Sequence, residues 1–370
     1  HLPMTLMRGY GGGCDLHTWL NQYIFPAEAR LDSRAVAAGA GLGLAEMIAS
    51  GVTCVADMYM HTGTIAEQIL EAGISANLSC GGVYFGAPED FSPETCGDCR
   101  NQAALTEEWH GAGAGQILVD ASVHGEYTSN PPLWRWMAEY AAEHRLGMHV
   151  HVSETQSEHQ ASLERWGKTP IQALDGCGVW DCGRSLAAHC VYTTEEDWAL
   201  MAEKGISCVH NPWSNLKLGS GVAPIPAMMR AGVNVALGTD GMSSHNSADL
   251  FSDIKLAAVL HNGVERDPMA VNAWAALEMA TVNGARALGR DTGVIAPGKT
   301  ADLILVDLSA PNLIPCHDPV EDLVFSAHGS NVEMNMARGQ VIYEKGSFLT
   351  LDLERVRWEV EHYALPLIFG

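Results

Sequence analysis

Short apolar runs of strand length alternate with helix-length stretches from residue 35 to about residue 290. The strand-like segments are 52–58 (VTCVADM), 74–83, 116–123 (QILVDASV), 147–155 (GMHVHVSET), 184–191 (RSLAAHCV), 205–211 (GISCVHN) and 233–240 (VNVALGTD). Between them the pattern predicts helices over 35–50, 64–72, 106–109, 131–145, 155–166, 195–203 and 224–231, followed by 249–261 and 269–288. Within 147–155 the alternation is clean, with Met148, Val150 and Val152 set against His149, His151 and Ser153.

Alternation of this kind implies a parallel sheet joined by right-handed crossovers. The seven strand segments are one short of a closed (β/α)8 barrel of the TIM type. The expectation is therefore a barrel over 1–290 whose strand one is missing or partial, lying before His1. The chain opens on His1 with no methionine, and on this reading His1 stands at the C-terminal end of strand one, where barrel active sites form. Over 291–351 the composition shifts to short strands (ADLILVDL, QVIYEKG) broken by Gly, Pro and Asn. This predicts a small C-terminal β domain, part of a β-sandwich whose other half precedes residue 1, with a helix and tail over 352–370.

Composition narrows the partners. Lysine and arginine total 21 against 44 acids, a formal charge of −23, which repels nucleic acid and anionic membranes and favours a small-molecule substrate. No apolar run reaches the length of a membrane helix and no leader pattern opens the chain. Cys54, Cys190 and Cys208 sit in apolar runs typical of reduced thiols, so a cytoplasmic protein is expected. Cys96 and Cys99 form a lone CxxC in a Gly/Pro-rich loop, with no second pair to complete a zinc site. Exposed helical faces would support a homo-oligomer.

In a barrel, polar strand ends converge. Here they are His1, His124, His151, His189, His210 with Asn211, and Asp240, and Glu154 follows His151 by three residues. Imidazoles and carboxylates in such number are costly to bury unpaired, and a metal site accounts for them.

The segments HLPMTLMRGY, DLHTWL, HVSETQSEH, AAHCVY, HNPWSNLKLGSG, LGTDG and GVIAPGKTADLILVD resemble the amidohydrolase superfamily, in its branch of 5'-methylthioadenosine and S-adenosylhomocysteine deaminases and related chlorohydrolases. The resemblance implies metal ligands His1, His151 and Asp240. It implies Glu154 as proton shuttle, and His189 as hydrogen-bond partner to the attacking water or the reacting centre. Trp19, Glu28 and His124 are then substrate-contacting, Glu28 at the ribose hydroxyls. Relatives with two metals use a carboxylated lysine near the end of strand four, and no lysine precedes Lys168, so one Zn2+ is expected, with Fe2+ the alternative.

The implied reaction is hydrolytic deamination of an adenine nucleoside: 5'-methylthioadenosine, 5'-deoxyadenosine, adenosine or S-adenosylhomocysteine. Alternatives are deamination of guanine, a pterin or cytosine, dechlorination of a triazine, and an inactive metal-binding barrel. Cys80 stands where relatives acting on S-adenosylhomocysteine carry a carboxylate-clamping arginine, which favours the smaller 5' groups. Arg100 is the nearby cation that would compensate, and His245 replaces an asparagine usual in relatives.

Overall fold

The computed structural model describes residues 1–370. Its wall strands are β1 (Cys54–Met58), β2 (Ser75–Ser79), β3 (Ile117–Val119), β4 (Ala121–Gly125), β5 (Met148–Val152), β6 (Ser185–His189), β7 (Ile206–His210) and β8 (Val235–Leu237). All pair in parallel, in the orders β1-β2-β3 and β4-β5-β6-β7-β8. Asp120 interrupts what would otherwise be one strand: β3 pairs with β2 and β4 with β5, while Gly82 bridges to Val123 across the join. Eight named strands therefore make seven wall positions, one for each segment expected from the apolar pattern. Strand follows helix throughout, so every C-terminal strand end opens on the same face.

Between the outer strands β1 and β8 lies the opening segment. Leu2–Met7 is a buried 3-10 turn packed on helix Ser33–Ala49. The small residues of that helix allow the approach: a Cβ on Gly39 would sit 2.7 Å from Pro3 O, and one on Gly43 3.0 Å from Leu2 O. Thr5 Oγ1 donates to Gly39 O at 2.7 Å. This contact fixes His1 beside the ends of both strands, since its Nδ1 donates to Met58 O of β1. On the other side, a Cβ on Gly241 would lie 3.3 Å from its ring.

Beyond the barrel, β9 (Leu303–Val306), β10 (Val332–Ala337), β11 (Gln340–Glu344) and β12 (Ser347–Phe348) form one antiparallel sheet in the order β12-β11-β10-β9. The half-sandwich expected over 291–351 is thus a single sheet in this chain, and it packs on the barrel. Asn335 Nδ2 donates to Ile48 O and Val52 O at 2.9 and 3.0 Å. No helix is long and apolar enough to cross a membrane.

Several elements differ from the pattern-based expectation. The helix expected over 106–109 runs Gly97–Trp109, so Cys96 is its N-cap and Cys99 lies within it. Both are buried free thiols in the apolar core. The helix expected over 269–288 breaks at Thr281, whose φ/ψ of −124°/−94° is not helical. An unexpected helical run, Leu16–Trp19, Leu20–Ile24 and Phe25–Glu28, carries Trp19 and Glu28. Its middle turn is π-helical, with Phe25 N bonded to Leu20 O, just before Pro26, which has no N–H to continue the ladder.

Candidate active site

Three side chains meet at the open strand-end face. The ligand atoms of His1, His151 and Asp240 all lie within 4.8 Å of one another. In each, the second polar position is already occupied. His1 Nδ1 donates to Met58 O, and His151 Nδ1 donates to His124 O at 2.9 Å, which turns both Nε2 atoms into the site. Asp240 Oδ2 accepts from Ser214 Oγ at 2.6 Å and Ser244 Oγ at 2.8 Å, while Oδ1 faces His1 Nε2 at 3.3 Å. Two imidazole nitrogens and one carboxylate oxygen, each held by a partner behind it, form a donor set suited to zinc or iron.

The electrostatics agree with that reading. Burial opposes charge on His1, yet the hydrogen bond and charge of Asp240, with Asp57, push its pKa up to about 9. Burial opposes ionisation of Asp240, but His1 and His189 hold it well below the usual carboxylate range. Burial and the neighbouring imidazoles keep His151 neutral, the form that ligates metal. A divalent cation would take the place of the proton shared between His1 and Asp240.

Beside this triad stand Glu154 and His189, with Glu154 Oε2 3.8 Å from His189 Nε2. Glu154 is buried and its pKa is raised, burial being the main cause. Its backbone is held by Glu158, whose two carboxylate oxygens accept from Ser153 N at 2.8 Å and Glu154 N at 2.7 Å. His189 Nδ1 contacts Asn215 Oδ1 at 2.8 Å. The backbone is strained where these groups leave the strands. Ser153, His189 and Asp240 have φ of 55°, 75° and 58°, values that favour glycine.

A family model described as Amidohydrolase family matches residues 1–342. The chain belongs to the amidohydrolase family. It is 42% identical over 372 residues to a 5-methylthioadenosine/S-adenosylhomocysteine deaminase of Caldanaerobacter subterraneus, covering 100% of this chain and 85% of the relative. To a 5'-deoxyadenosine deaminase of Methanosphaera stadtmanae it is 39% identical, covering 99% and 85% of the two chains. A crystal structure of an adenosine deaminase from Xanthomonas campestris with bound zinc superposes with a TM-score of 0.92 at 32% identity, covering 99% of this chain and 83% of that one.

The remaining expected residues of this amidohydrolase divide into two groups. His124 adjoins the triad, its ring 5.1 Å from that of His151, and burial pushes its pKa down to about 4. Glu28 connects to the site through Tyr59, whose hydroxyl donates to Glu28 Oε1 at 2.6 Å and whose ring lies 6.0 Å from that of His1. Trp19 is buried on the same helical run, and its Nε1 donates to Tyr10 O at 3.3 Å.

Others fall outside. His210 turns away from the pore: its Nε2 is 3.0 Å from Nε2 of His261 on helix Leu250–Glu265. His245 is buried with its Nε2 2.9 Å from Asp253 Oδ2. Cys80 directs its Sγ toward Gln102 Oε1 at 3.4 Å, and burial pushes its thiol up to about 12. Arg100 is exposed, donating to Glu94 O at 2.7 Å, so it does not supply the missing clamp. Ser214, Asn215, Ser220 and Ser244 also reach the candidate site and end no strand. They lie in loops and a short helix beyond the strands, and the signal was there in the small polar residues of SNLKLGSG and GMSSHNS.

Proposed function

We propose that this amidohydrolase is a metal-dependent aminohydrolase of adenine nucleosides, giving the inosine analogue and ammonia. The observation that carries the reading is the meeting of His1, His151 and Asp240 beside a buried Glu154 and His189, in a chain of which relatives at about 40% identity are named as deaminases of such nucleosides. His1, His151 and Asp240 would hold one divalent ion, and zinc suits two nitrogens with one carboxylate. When bound, such an ion supplies the acidity that lets water lose a proton near neutral pH.

The chain's own groups handle the protons. Asp240, held ionised between His1 and His189, accepts the proton that the attacking water gives up. Glu154, whose buried carboxyl favours the protonated form, delivers its proton to the ring nitrogen next to the attacked carbon, so negative charge does not build up there. It then carries a proton to the departing amine. His189, through Nε2, accepts a hydrogen bond from the attacking water. Glu28, oriented by Tyr59, accepts from ribose hydroxyls, while His124 and Trp19 line the nucleoside side.

The absence of a cation at Cys80, with Arg100 turned to the surface, favours 5'-methylthioadenosine, 5'-deoxyadenosine and adenosine over S-adenosylhomocysteine. The test is ammonia release by the zinc-loaded protein, with the ultraviolet spectrum moving from adenine to hypoxanthine. The substrates offered are these four nucleosides, guanine and cytosine. Turnover of the nucleosides with uncharged 5' groups ahead of S-adenosylhomocysteine is expected. A metal-replete protein inert toward every adenine nucleoside overturns the reading.

A further inference from the structure

One short stretch touches three groups used in the reaction proposed above: Asp240, His189 and Glu154. Between β7 and helix Ile225–Arg230 the chain runs through Asn211, helix Pro212–Lys217 and the turn to Gly221. Ser214 Oγ donates to Asp240 Oδ2 at 2.6 Å. Asn215 Oδ1 meets His189 Nδ1 at 2.8 Å. Ser220 Oγ donates to Glu154 Oε1 at 3.4 Å. Asp240, His189 and Glu154 come from three different strand ends, β8, β6 and β5, yet consecutive turns of this one segment reach each of them.

The segment is itself held firmly. Ser214, Asn215 and Ser220 are 0%, 1% and 4% exposed. Asn215 is the hub, because its backbone carbonyl accepts from Ser220 N at 2.8 Å and Gly221 N at 3.4 Å. The residue that binds His189 thereby also sets the turn that presents Ser220 to Glu154. Gly221, at φ +127°, lets the turn press against Val191 Cγ1 and Tyr192 Oη, which a Cβ would meet at 3.1 and 3.3 Å. Lys217 Nζ anchors the outer side by donating to Ser243 O and Asn246 Oδ1, both at 2.7 Å.

We propose that the stretch Asn211–Gly221 is the positioning frame of Asp240, His189 and Glu154, with Asn215 fixing which nitrogen of His189 faces the reaction. The amide oxygen of Asn215 only accepts, so Nδ1 of His189 carries the hydrogen and Nε2 is the nitrogen left toward Glu154. Asn211 Nδ2, 3.5 Å from the same Nδ1, can only donate and so makes no hydrogen bond to an Nδ1 that carries the hydrogen. Asn215 is a positioning residue: it acts through His189 and, by way of Ser220, through Glu154. The inference rests on the deaminase reading for its kinetic effect, but its structural core can be tested without it.

The experiment compares Asn215→Leu, which keeps the shape and removes the acceptor, with Asn215→Asp, which keeps the acceptor and adds charge. In the zinc-loaded protein, Asn215→Leu is expected to lower kcat by roughly 10–100-fold, the usual effect of losing a partner behind an active group. KM and bound zinc should stay within about twofold of wild type. Asn215→Asp should retain most of kcat. A packing role predicts the reverse order, since a buried apolar isostere is tolerated better than a buried charge. Equal activity of Asn215→Leu and wild type, or Asn215→Asp as slow as Asn215→Leu, overturns the proposal.

A second readout is nitrogen-15 NMR of histidine-labelled protein. The hydrogen on His189 Nδ1 should be seen in wild type and Asn215→Asp and lost or moved to Nε2 in Asn215→Leu. If the wild type deaminates no adenine nucleoside yet shows this pattern, the frame stands and the deaminase reading falls. If the Nδ1 hydrogen persists in Asn215→Leu, the frame falls whatever the activity.

Discussion

The histidine pair outside the pore makes the protein acid-sensitive for a reason that has nothing to do with catalysis. His210 ends β7, and its Nε2 lies 3.0 Å from Nε2 of His261, both residues being 1% exposed. Two imidazoles at that distance share one hydrogen and have no carboxylate to accept a second. Burial pushes His261 down from 6.5 to about 4, and burial also holds His210 well below 6.5, with His261 adding to the effect. The sign follows from linkage: between those two values the unfolded chain binds a proton that the folded chain refuses, so stability falls as pH falls below 6.5. For His261 alone the full loss is about 3 kcal/mol, of which about 2 kcal/mol is already felt at pH 5. Replacing His261 with Gln keeps a donor toward His210 and removes the titration. Urea unfolding followed by tryptophan fluorescence at pH 7.5 and pH 5.0 should show a pH-dependent loss about 2 kcal/mol smaller in His261→Gln than in wild type. An identical pH dependence in the two proteins would refute the reasoning, because other buried histidines such as His124 and His149 contribute equally to both.

Glu154→Gln should leave zinc binding intact and lower kcat for deamination by about 10²–10⁴-fold; near-normal ammonia release from the variant would remove Glu154 from the proton path. Tyr59→Phe takes the donor from Glu28 Oε1, and KM for adenosine should rise about tenfold with kcat little changed, whereas a matching fall in kcat would show that Tyr59 serves His1 instead. Cys96→Ser with Cys99→Ser should lower the melting temperature, because two core thiols become hydroxyls. Zinc content should not move, and loss of one equivalent per chain would mean that the pair binds metal after all.

Most of the architecture was legible because barrel strands are buried on both faces and read as continuous apolar runs. Every one of the seven runs became a wall strand. What the pattern could not show lies where packing overrides it. Leu16–Glu28 has no helical apolar stripe, and its two ends are joined by the π-turn Leu20–Ile24, just before Phe25 and Pro26. Cys96 and Cys99 read as a loop pair because Gly and Pro surround them, yet Gly97 starts a helix that carries Cys99 into the core. Three closely spaced glycines in helix Ser33–Ala49 are poor for a helix by propensity. Their reason appears only when Pro3, Val356 and Leu2 are seen lying against Gly39, Gly41 and Gly43 in turn.

The site was legible to the extent that a strand end fixes where a side chain begins, and illegible in where it points. His189 and His210 both end a strand with an apolar run behind them, and in sequence they look alike. One faces Glu154 across the pore and the other a helix outside the wall. The difference is physical: His189 is turned by a left-handed backbone, φ 75°, and held from behind by Asn215, while His210 keeps the strand conformation and finds His261. The same device recurs at Ser153 and Asp240, where φ is 55° and 58°. A non-glycine residue held in that region costs of order 1–3 kcal/mol and persists only where its surroundings fix it. Here those surroundings are Glu158 behind Ser153, and Ser214 and Ser244 behind Asp240. The geometry of the candidate site therefore depends on residues that end no strand. Strand ends bring the reacting groups to one face, and the polar side chains of the following loops turn them toward one another.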